Sequence, residues 1–430
     1  MVFIKRGLLE ELETHLPQKE ISLIVGPRQV GKTTMMLMLK ETLEQRGQRG
    51  EKTVFLNLDS ELDRPFFSSQ SSFIRKLKLE LGKERGYVFI DEIQRKENAG
   101  LFLKGVYDTN LPYKLIASGS GSLELKEKIH ESLVGRKRIF ELNPVSFEEF
   151  VNFKTNYRYE GKHRDFFDIE KEKSQDLLEE YLNFGGYPRV ILEEKLEEKR
   201  RIIDDIFRSY LEKDITFLLR VEKTEAFSSL IRILASQLGR LINYSALCTT
   251  LGIAIQTLKN YLWYGEKTFV IQRLPPYYRN VRKEIVKSPV IYFYDNGLRN
   301  YPLGLFGNLY NPEAFGHLFE NFIFNILREK LRFSGAKLYF WRTKDGAEVD
   351  FVVDFAKKII PMEVKYKRLP KIEISRSLRS FMEKYKPPHA IIVNLSLSET
   401  INIGRTNVTF LPYYKLFDTS TITNQPFSKL

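Results

Sequence analysis

At 430 residues the chain is longer than one hydrophobic core ordinarily supports, and its 43% hydrophobic and 29% charged residues, with 32 Phe and 22 Tyr, exclude extended disorder. A single cysteine, Cys248, excludes an internal disulfide and a thiolate zinc site; no run reaches membrane-spanning length and MVFIKRGLLEELETHL lacks the apolar core of a secretory signal, so a reducing cytoplasm without a membrane is expected. The net charge of +13 is uneven: residues 1–150 carry 24 basic and 22 acidic side chains, residues 230–300 carry 10 and 3, a local excess that suits a phosphate backbone or plain solubility.

In chain order, residues 21–150 alternate near-continuous apolar runs (ISLIV, TVFLNL, YVFID, KLIAS) with longer helical patterns such as TTMMLMLKETLEQR. That alternation predicts a parallel sheet covered on both faces by crossover helices. From about Pro144 to Arg220 the pattern is helical, as in EKSQDLLEEYLNF and KRRIIDDIFRSYLEKDITFLL, with a break at Gly185-Gly186-Tyr187-Pro188. This segment is expected to be a lid or linker over 151–225. Two further helices around a turn occupy 243–263, followed by the β-like runs FVIQRL and VIYFY flanking a basic loop. The last third opens with the helix GHLFENFIFNILREKL and continues through strands KLYFWR, EVDFVVDF and KIIPMEVKYK, a helix and AIIVNL, which makes a second α/β unit.

Gly26-Pro27-Arg28-Gln29-Val30-Gly31-Lys32-Thr33, followed by Thr34, joins the strand ISLIV to a helix and matches the phosphate-loop pattern in its required setting. The two glycines let successive N–H groups turn toward a phosphate at the positive end of the helix, Lys32 would reach the β- and γ-oxygens, and Thr33 would ligate Mg²⁺. Tyr87-Val88-Phe89-Ile90-Asp91-Glu92 is an apolar strand ending in two carboxylates, with Asp91 expected to hold Mg²⁺ through water and Glu92 to act as general base on the attacking water. Ser118 and Ser120, at the end of KLIASGSGS, are candidates for contact with the γ-phosphate or the water. Arg136, in LVGRKRIFEL, is a candidate for neutralising charge during phosphoryl transfer, in cis or across a subunit interface, or else belongs to a solvated basic run with Lys137 and Arg138. The guanine signature N-K-x-D is absent from this segment, which favours ATP.

Together, GPRQVGKTT, FIDEIQ, SGS, the Gly135-Arg136 pair, LNPVSFEEF and NFGGYPRV resemble the AAA-type ATPases of archaea and bacteria that carry a C-terminal DUF4143 domain, over nearly the whole chain. The resemblance implies an α/β fold class: a P-loop parallel-sheet ATPase domain over 1–150, a helical lid over 151–225, a winged-helix domain over 226–305, and a restriction-endonuclease-like, PD-(D/E)xK α/β domain over 306–430. It leaves the cellular role open.

Read from its residues, INYSALCTTLGIAIQTLKNYLWYGEKTFVIQRL has the spacing of a helix, a turn at Gly252 and a second helix, with Leu247, Leu251, Ile255, Leu258 and Tyr261 as its apolar face. Gln256, Thr257, Lys259 and Asn260 would meet base edges or phosphates, and Arg279, Arg282, Lys283 and Lys287 lie where a wing would add phosphate contacts. Such modules also bind proteins. In the last unit, alternation puts Glu363 and Lys365 on one strand face. Their order after Glu320 and Asp350 matches the E…D…ExK series of PD-(D/E)xK nucleases, and the resemblance implies metal-binding roles for Glu320, Asp350 and Glu363 and a charge-stabilising role for Lys365. A salt-bridge network, with Arg342 and Glu348 nearby, is the alternative use of the same charges. The sequence therefore leads to an ATP- and Mg²⁺-dependent ATPase acting on duplex or branched DNA as a homo-oligomer. An ATP-dependent nuclease and a nucleotide-gated switch for a protein partner are the competing readings.

Overall fold

A computed structural model of the chain describes residues 3–45, 51–120, 132–209, 224–278, 288–309 and 312–418. They fall into two compact units, 1–145 with 187–224 and 263–270, and 146–186 with 225–262 and 271–430. The chain passes back and forth between the units, so the four consecutive segments expected from sequence do not coincide with the compact bodies: sequence pattern marks where elements begin and end, and packing decides which elements share a core.

The first unit is built on a five-stranded sheet of β1 (Ile21–Gly26), β2 (Thr53–Asn57), β3 (Gly86–Asp91), β4 (Tyr113–Ser120) and β5 (Lys137–Glu141), in the order β2-β3-β4-β1-β5. Every pairing is parallel. β1 and β3 are buried at every residue, as the unbroken apolar runs require of strands covered on both faces. Helix α1 (Leu8–His15) and helix α2 (Lys32–Gln45) bring Leu12, Met35, Met36, Leu39 and Leu43 against Ile24, Phe89, Ile116 and Phe140 in one core. Helix α3 (Gln70–Leu81) is N-capped by Ser69, whose side chain accepts from the Ser72 amide, and is closed by Gly82 at φ +76.

The second unit combines helices with a mixed six-stranded sheet of β8 (Lys337–Arg342), β9 (Glu348–Asp354), β10 (Ile359–Val364), β11 (His389–Asn394), β12 (Glu399–Ile403) and β13 (Thr406–Pro412), ordered β12-β13-β11-β10-β9-β8. Its central pairings β10–β11 and β11–β13 are parallel and the outer ones antiparallel. Trp341, Val349, Val352, Leu378, Phe381, Ile392 and Phe410 fill one core against it. A helix over Phe147–Lys154 starts in a full capping box, Ser146 with Glu149, and Phe147 and Phe150 pack with Phe167, Tyr181, Phe322 and Tyr413 in an aromatic cluster. The helices Tyr244–Leu251 and Ile255–Lys267 flank Gly252, which takes the left-handed conformation a tight turn needs, and β6 (Ile271–Leu274) pairs antiparallel with β7 (Val290–Phe293). Among the described residues no helix is long and apolar enough to cross a membrane.

One buried polar cluster gives the first unit a pH dependence. His15, 3% exposed, lies with its Nδ1 2.8 Å from Ser22 Oγ and 3.2 Å from Lys114 Nζ, and Lys114 donates to the carbonyls of Gln18 and Glu20. Burial first, then the charges of Lys114 and Arg138, lowers the His15 pKa to about 4. The unfolded imidazole binds its proton near pH 6.5 and the folded one only near 4, so stability present above pH 6.5 is lost as pH falls through that window, by on the order of 2–3 kcal/mol at most. Chemical denaturation between pH 7 and 4 should show a shallower decline in His15→Gln than in the wild type; parallel curves would mean that His15 does not titrate with folding.

Candidate nucleotide site

The loop between β1 and α2 is shaped by backbone needs that its residue types meet. A Cβ on Gly26 would stand 2.2 Å from the Leu142 carbonyl oxygen, so no side chain fits there. Gly31 has φ +97 and Gln29 φ +57, two left-handed turns in three residues that curl the loop back toward the first turn of α2. Lys32, 6% exposed, donates from Nζ to the carbonyls of Gly26 (3.1 Å) and Pro27 (2.7 Å), which holds its ammonium inside the loop. Thr33 and Thr34 are exposed on the following turn.

Opposite the loop, Asp91 at the end of β3 is 1% exposed and accepts from three neighbours. Thr33 Oγ1 donates to its Oδ2 at 2.7 Å, the Glu92 amide donates to its Oδ1 at 3.1 Å, and Ser118 Oγ also donates to Oδ1. Ser118 arrives there because β4 lies between β1 and β3, with Ser118 paired to Ile24 on one side and Ala117 to Ile90 on the other. Ser120 ends the same strand, its backbone opposite Gly26. Glu92 takes a left-handed conformation, φ +55 and ψ +40, which for a residue with a Cβ is held only by its surroundings. Its carboxylate accepts from Gln94 Nε2. Burial raises the Glu92 carboxyl above the usual carboxylate range; the charge of Lys32 opposes the shift and those of Asp91 and Asp59 add to it. A carboxyl poised upward in this way is suited to taking a proton from water.

The cleft beside these groups has a volume of about 580 Å³, within the range of pockets that hold small molecules. Arg28, Gln29, Val30, Gly31, Lys32, Thr33, Thr34 and Glu92 line it, and so do Phe3, Ile4, Met38, Pro188 and two arginines that sequence reading did not single out. Arg6 ties the loop down by donating to the carbonyls of Val30 (3.3 Å), Asn143 (2.6 Å) and Pro144 (3.3 Å). Arg189, exposed on the short helix Pro188–Leu192, donates to Gln29 Oε1 at 2.8 Å. Nothing around Arg6 in the sequence marks it. Arg189 had a signal, the Gly-Gly-Tyr-Pro break before it, which reads as a linker until its partner is known.

Arg136 is elsewhere. It precedes β5, its carbonyl accepts from the Ile21 amide at the start of β1, and its guanidinium pairs with Asp108 at 2.8 Å. It therefore sits at the end of the strands away from the phosphate loop, about 17–20 Å along a six-residue strand, and the expectation that it acts in cis is corrected. The reason is the parallel register of β1 and β5, which places the residue before β5 at the wrong edge of the sheet.

The other candidates lie in the second unit. Gln256, Lys259 and Asn260 are exposed and Thr257 half-buried on the helix Ile255–Lys267, with Gln256 bonded to Asn260 at 3.1 Å. Leu247, Leu258 and Tyr261 are buried, whereas Ile255, expected on the apolar face, is 53% exposed because it starts the helix. Arg279, Arg282, Lys283 and Lys287 lie outside the described residues. Glu320, Glu348 and Asp350 share the wall of an open groove of about 1210 Å³ with Arg240, His317, Arg342 and Lys344. Desolvation, then the charge of Glu320, pushes the Asp350 carboxyl well above its ordinary range. The expected metal-ligand set is not gathered: Glu320 accepts from Tyr292, Asp350 from the Val364 amide at 2.7 Å, and Glu363 from Ser375 at 2.7 Å with Lys365 at 3.5 Å. Among the described residues no group of three or more His, Cys, Asp or Glu is placed to hold a metal ion.

A parallel sheet with a phosphate loop on β1 and an acidic β3 set off from it by β4 defines a P-loop domain of the AAA type. Residues 18–151 match the model of an AAA domain, residues 175–309 a domain of unknown function (DUF8612), and residues 315–416 a domain of unknown function (DUF4143). An uncharacterized protein of Haemophilus influenzae is 26% identical over 393 residues, 89% of this chain and 91% of that protein. An uncharacterized protein of Methanocaldococcus jannaschii is 24% identical over 393 residues, 90% and 83% of the two chains. Among solved structures, the Aeropyrum pernix ORC1 protein in complex with DNA aligns over 70% of this chain and 93% of its own at 13% identity and a TM-score of 0.29. A DNA polymerase III gamma subunit-related protein of Thermotoga maritima aligns over 61% and 99% at 18% identity and a TM-score of 0.27. Likeness at these scores fixes neither fold nor function.

The loop geometry yields a stability test. Gly26→Ala should lower stability by about 2–3 kcal/mol, since the added methyl has only the Leu142 carbonyl to displace. A denaturation midpoint equal to the wild type would show that the loop has room to shift.

Proposed function

We propose that the protein is an ATP-hydrolysing, Mg²⁺-dependent switch that acts on duplex or branched DNA. The observation that carries the ATPase part is the Thr33–Asp91–Ser118 constellation facing a glycine-shaped loop with an inward lysine. In this reading the loop amides and Lys32 bind the β- and γ-phosphates, Arg189 stands at the loop to add a second positive charge, and Glu92 orients water and accepts its proton. Thr33 and Asp91 are the residues that would hold Mg²⁺, which would supply neutralisation of phosphate charge; their hard oxygen donors fit that ion. Ser118 holds the Asp91 carboxylate in place. Arg136, exposed at the far sheet edge and paired to Asp108, remains a candidate only toward a neighbouring copy in an oligomer.

The DNA part rests on the second unit. Helices Thr224–Ser236, Tyr244–Leu251 and Ile255–Lys267 followed by the β6–β7 hairpin have the element order of a winged helix, with Gln256, Lys259 and Asn260 outward in a region of net positive charge. The mixed sheet with its acidic groove supports a restriction-endonuclease-like reading of the last domain. Its carboxylates are individually engaged, which favours gripping over cutting.

Purified protein should hydrolyse ATP with Mg²⁺, faster with duplex or four-way-junction DNA. Lys32→Ala should abolish turnover, and Glu92→Gln should retain nucleotide binding while losing about 100-fold or more in kcat. Wild-type turnover in Glu92→Gln would remove Glu92 as the base. DNA affinity should fall steeply between 50 and 200 mM salt. Absence of binding to any DNA form at low salt would instead point to a protein partner, and strand cleavage abolished in Asp350→Ala would establish a nuclease.

A further inference from the structure

The Gly185-Gly186 pair lies against a carboxylate that the proposed mechanism does not use. Asp295 is 3% exposed, and its Oδ2 accepts from the Gly186 amide at 2.6 Å while its Oδ1 accepts from the Leu298 amide at 2.8 Å. Gly185 has φ +75 and ψ −165, and a Cβ there would stand 2.3 and 2.4 Å from the two carboxylate oxygens. Gly297 is equally constrained, with the Phe184 carbonyl oxygen 2.1 Å from where its Cβ would be. Asn300 Nδ2 donates to the Leu182 and Asn183 carbonyls at 3.0 and 2.9 Å, closing the end of the helix Lys171–Phe184. The segment that does this is itself braced: Asn321 Nδ2 donates to Asn296 Oδ1 at 2.7 Å and to the Phe293 carbonyl at 3.0 Å. Asn321 follows Glu320 on the helix Pro312–Lys330.

The chain is thus immobilised up to Gly186 by contacts inside the second unit. One residue later Tyr187 is fully buried, Pro188 opens the next helix, and Arg189 donates to Gln29 of the phosphate loop inside the first unit. Two fixed points three residues apart leave the intervening backbone little freedom. We propose that Asp295 is a positioning residue for the nucleotide site: by clamping the Gly185-Gly186 backbone it sets where the chain enters the Pro188–Leu192 helix, and so where Arg189 stands at the loop. The same covalent run makes the clamp the route by which nucleotide at the loop is felt at the helix carrying Glu320. The inference rests on the ATP-site reading above.

The test is a double-mutant cycle on the full chain, reading kcat for ATP hydrolysis and, by calorimetry, nucleotide affinity. Asp295→Asn and Arg189→Ala should each lower kcat by about tenfold or more, and the double variant should be no worse than Arg189→Ala, because Asp295 acts only through the arginine. Gly185→Ala, which pushes the clamp apart from the other side, should reproduce the Asp295→Asn signature. Wild-type kcat in Asp295→Asn, or losses that multiply in the double variant, overturns the proposal. Hydrogen exchange covers the case in which the clamp variants do not fold: in the wild type, ATP should slow exchange of amides in 183–189 and 295–300, and in Arg189→Ala the nucleotide should still bind without that protection. Bound ATP with unchanged exchange in the wild type overturns the coupling alone, whereas ATP that does not bind the wild type overturns the site reading on which it stands.

Discussion

Around Asp91, one buried carboxylate is asked to satisfy a hydroxyl from the phosphate loop, a hydroxyl from the neighbouring strand and the amide of the next residue. An ionised carboxylate that far from water persists only when its lone pairs are filled by well-placed donors. The rest of the first unit can be read as what supplies them. β4 must lie between β1 and β3 for Ser118 to reach it, the loop must turn back on itself for Thr33 to reach it, and Glu92 must adopt a left-handed backbone for its amide to point inward. The strained Glu92 conformation, the conformation-bound Gly31 and the side-chain-intolerant Gly26 are consequences of that demand, concentrated where phosphate chemistry needs rigid donors.

The second unit spends its buried polar groups differently. Asp295, Asn296, Asn300 and Asn321 form a network whose partners are mostly backbone, so they fix chain path and not a reactive centre. The groove carboxylates Glu320 and Asp350 are likewise each engaged, by a tyrosine hydroxyl and a backbone amide. The unit therefore offers a surface with a few charged walls and a rigid interior, which suits recognition of a large partner better than capture of a small one.

How much of this was legible in advance differs from element to element. The phosphate loop and the acidic strand end could be read because each is a contiguous string whose residue types follow from local backbone geometry and charge. The parallel strands were legible for the same reason, since burial on both faces leaves unbroken apolar runs. Ile255 misled because a helix pattern does not say which turn is first, and first-turn residues project beyond the packed face. Arg136 misled because adjacency in sequence to a strand does not say which end of the sheet the strand presents. The carboxylates Glu320, Asp350 and Glu363 could be ordered along the chain, but whether they converge depends on side-chain partners such as Tyr292 and Ser375 that no spacing reveals.

By itself the sequence determined the elements with a local code: a glycine-shaped loop between strand and helix, an apolar strand ending in Asp91-Glu92, capped helices, and a turn at Gly252. Only the tertiary structure decided strand order, and with it that Ser118 meets Asp91, that Arg6 and Arg189 border the cleft while Arg136 does not, and that Asp295 grips a glycine pair more than a hundred residues upstream. The physical reason is the same in each case. Local conformation is set by neighbours within a few residues, whereas a buried charge or a cleft-lining arginine is set by whichever distant segment brings the complementary donor or acceptor.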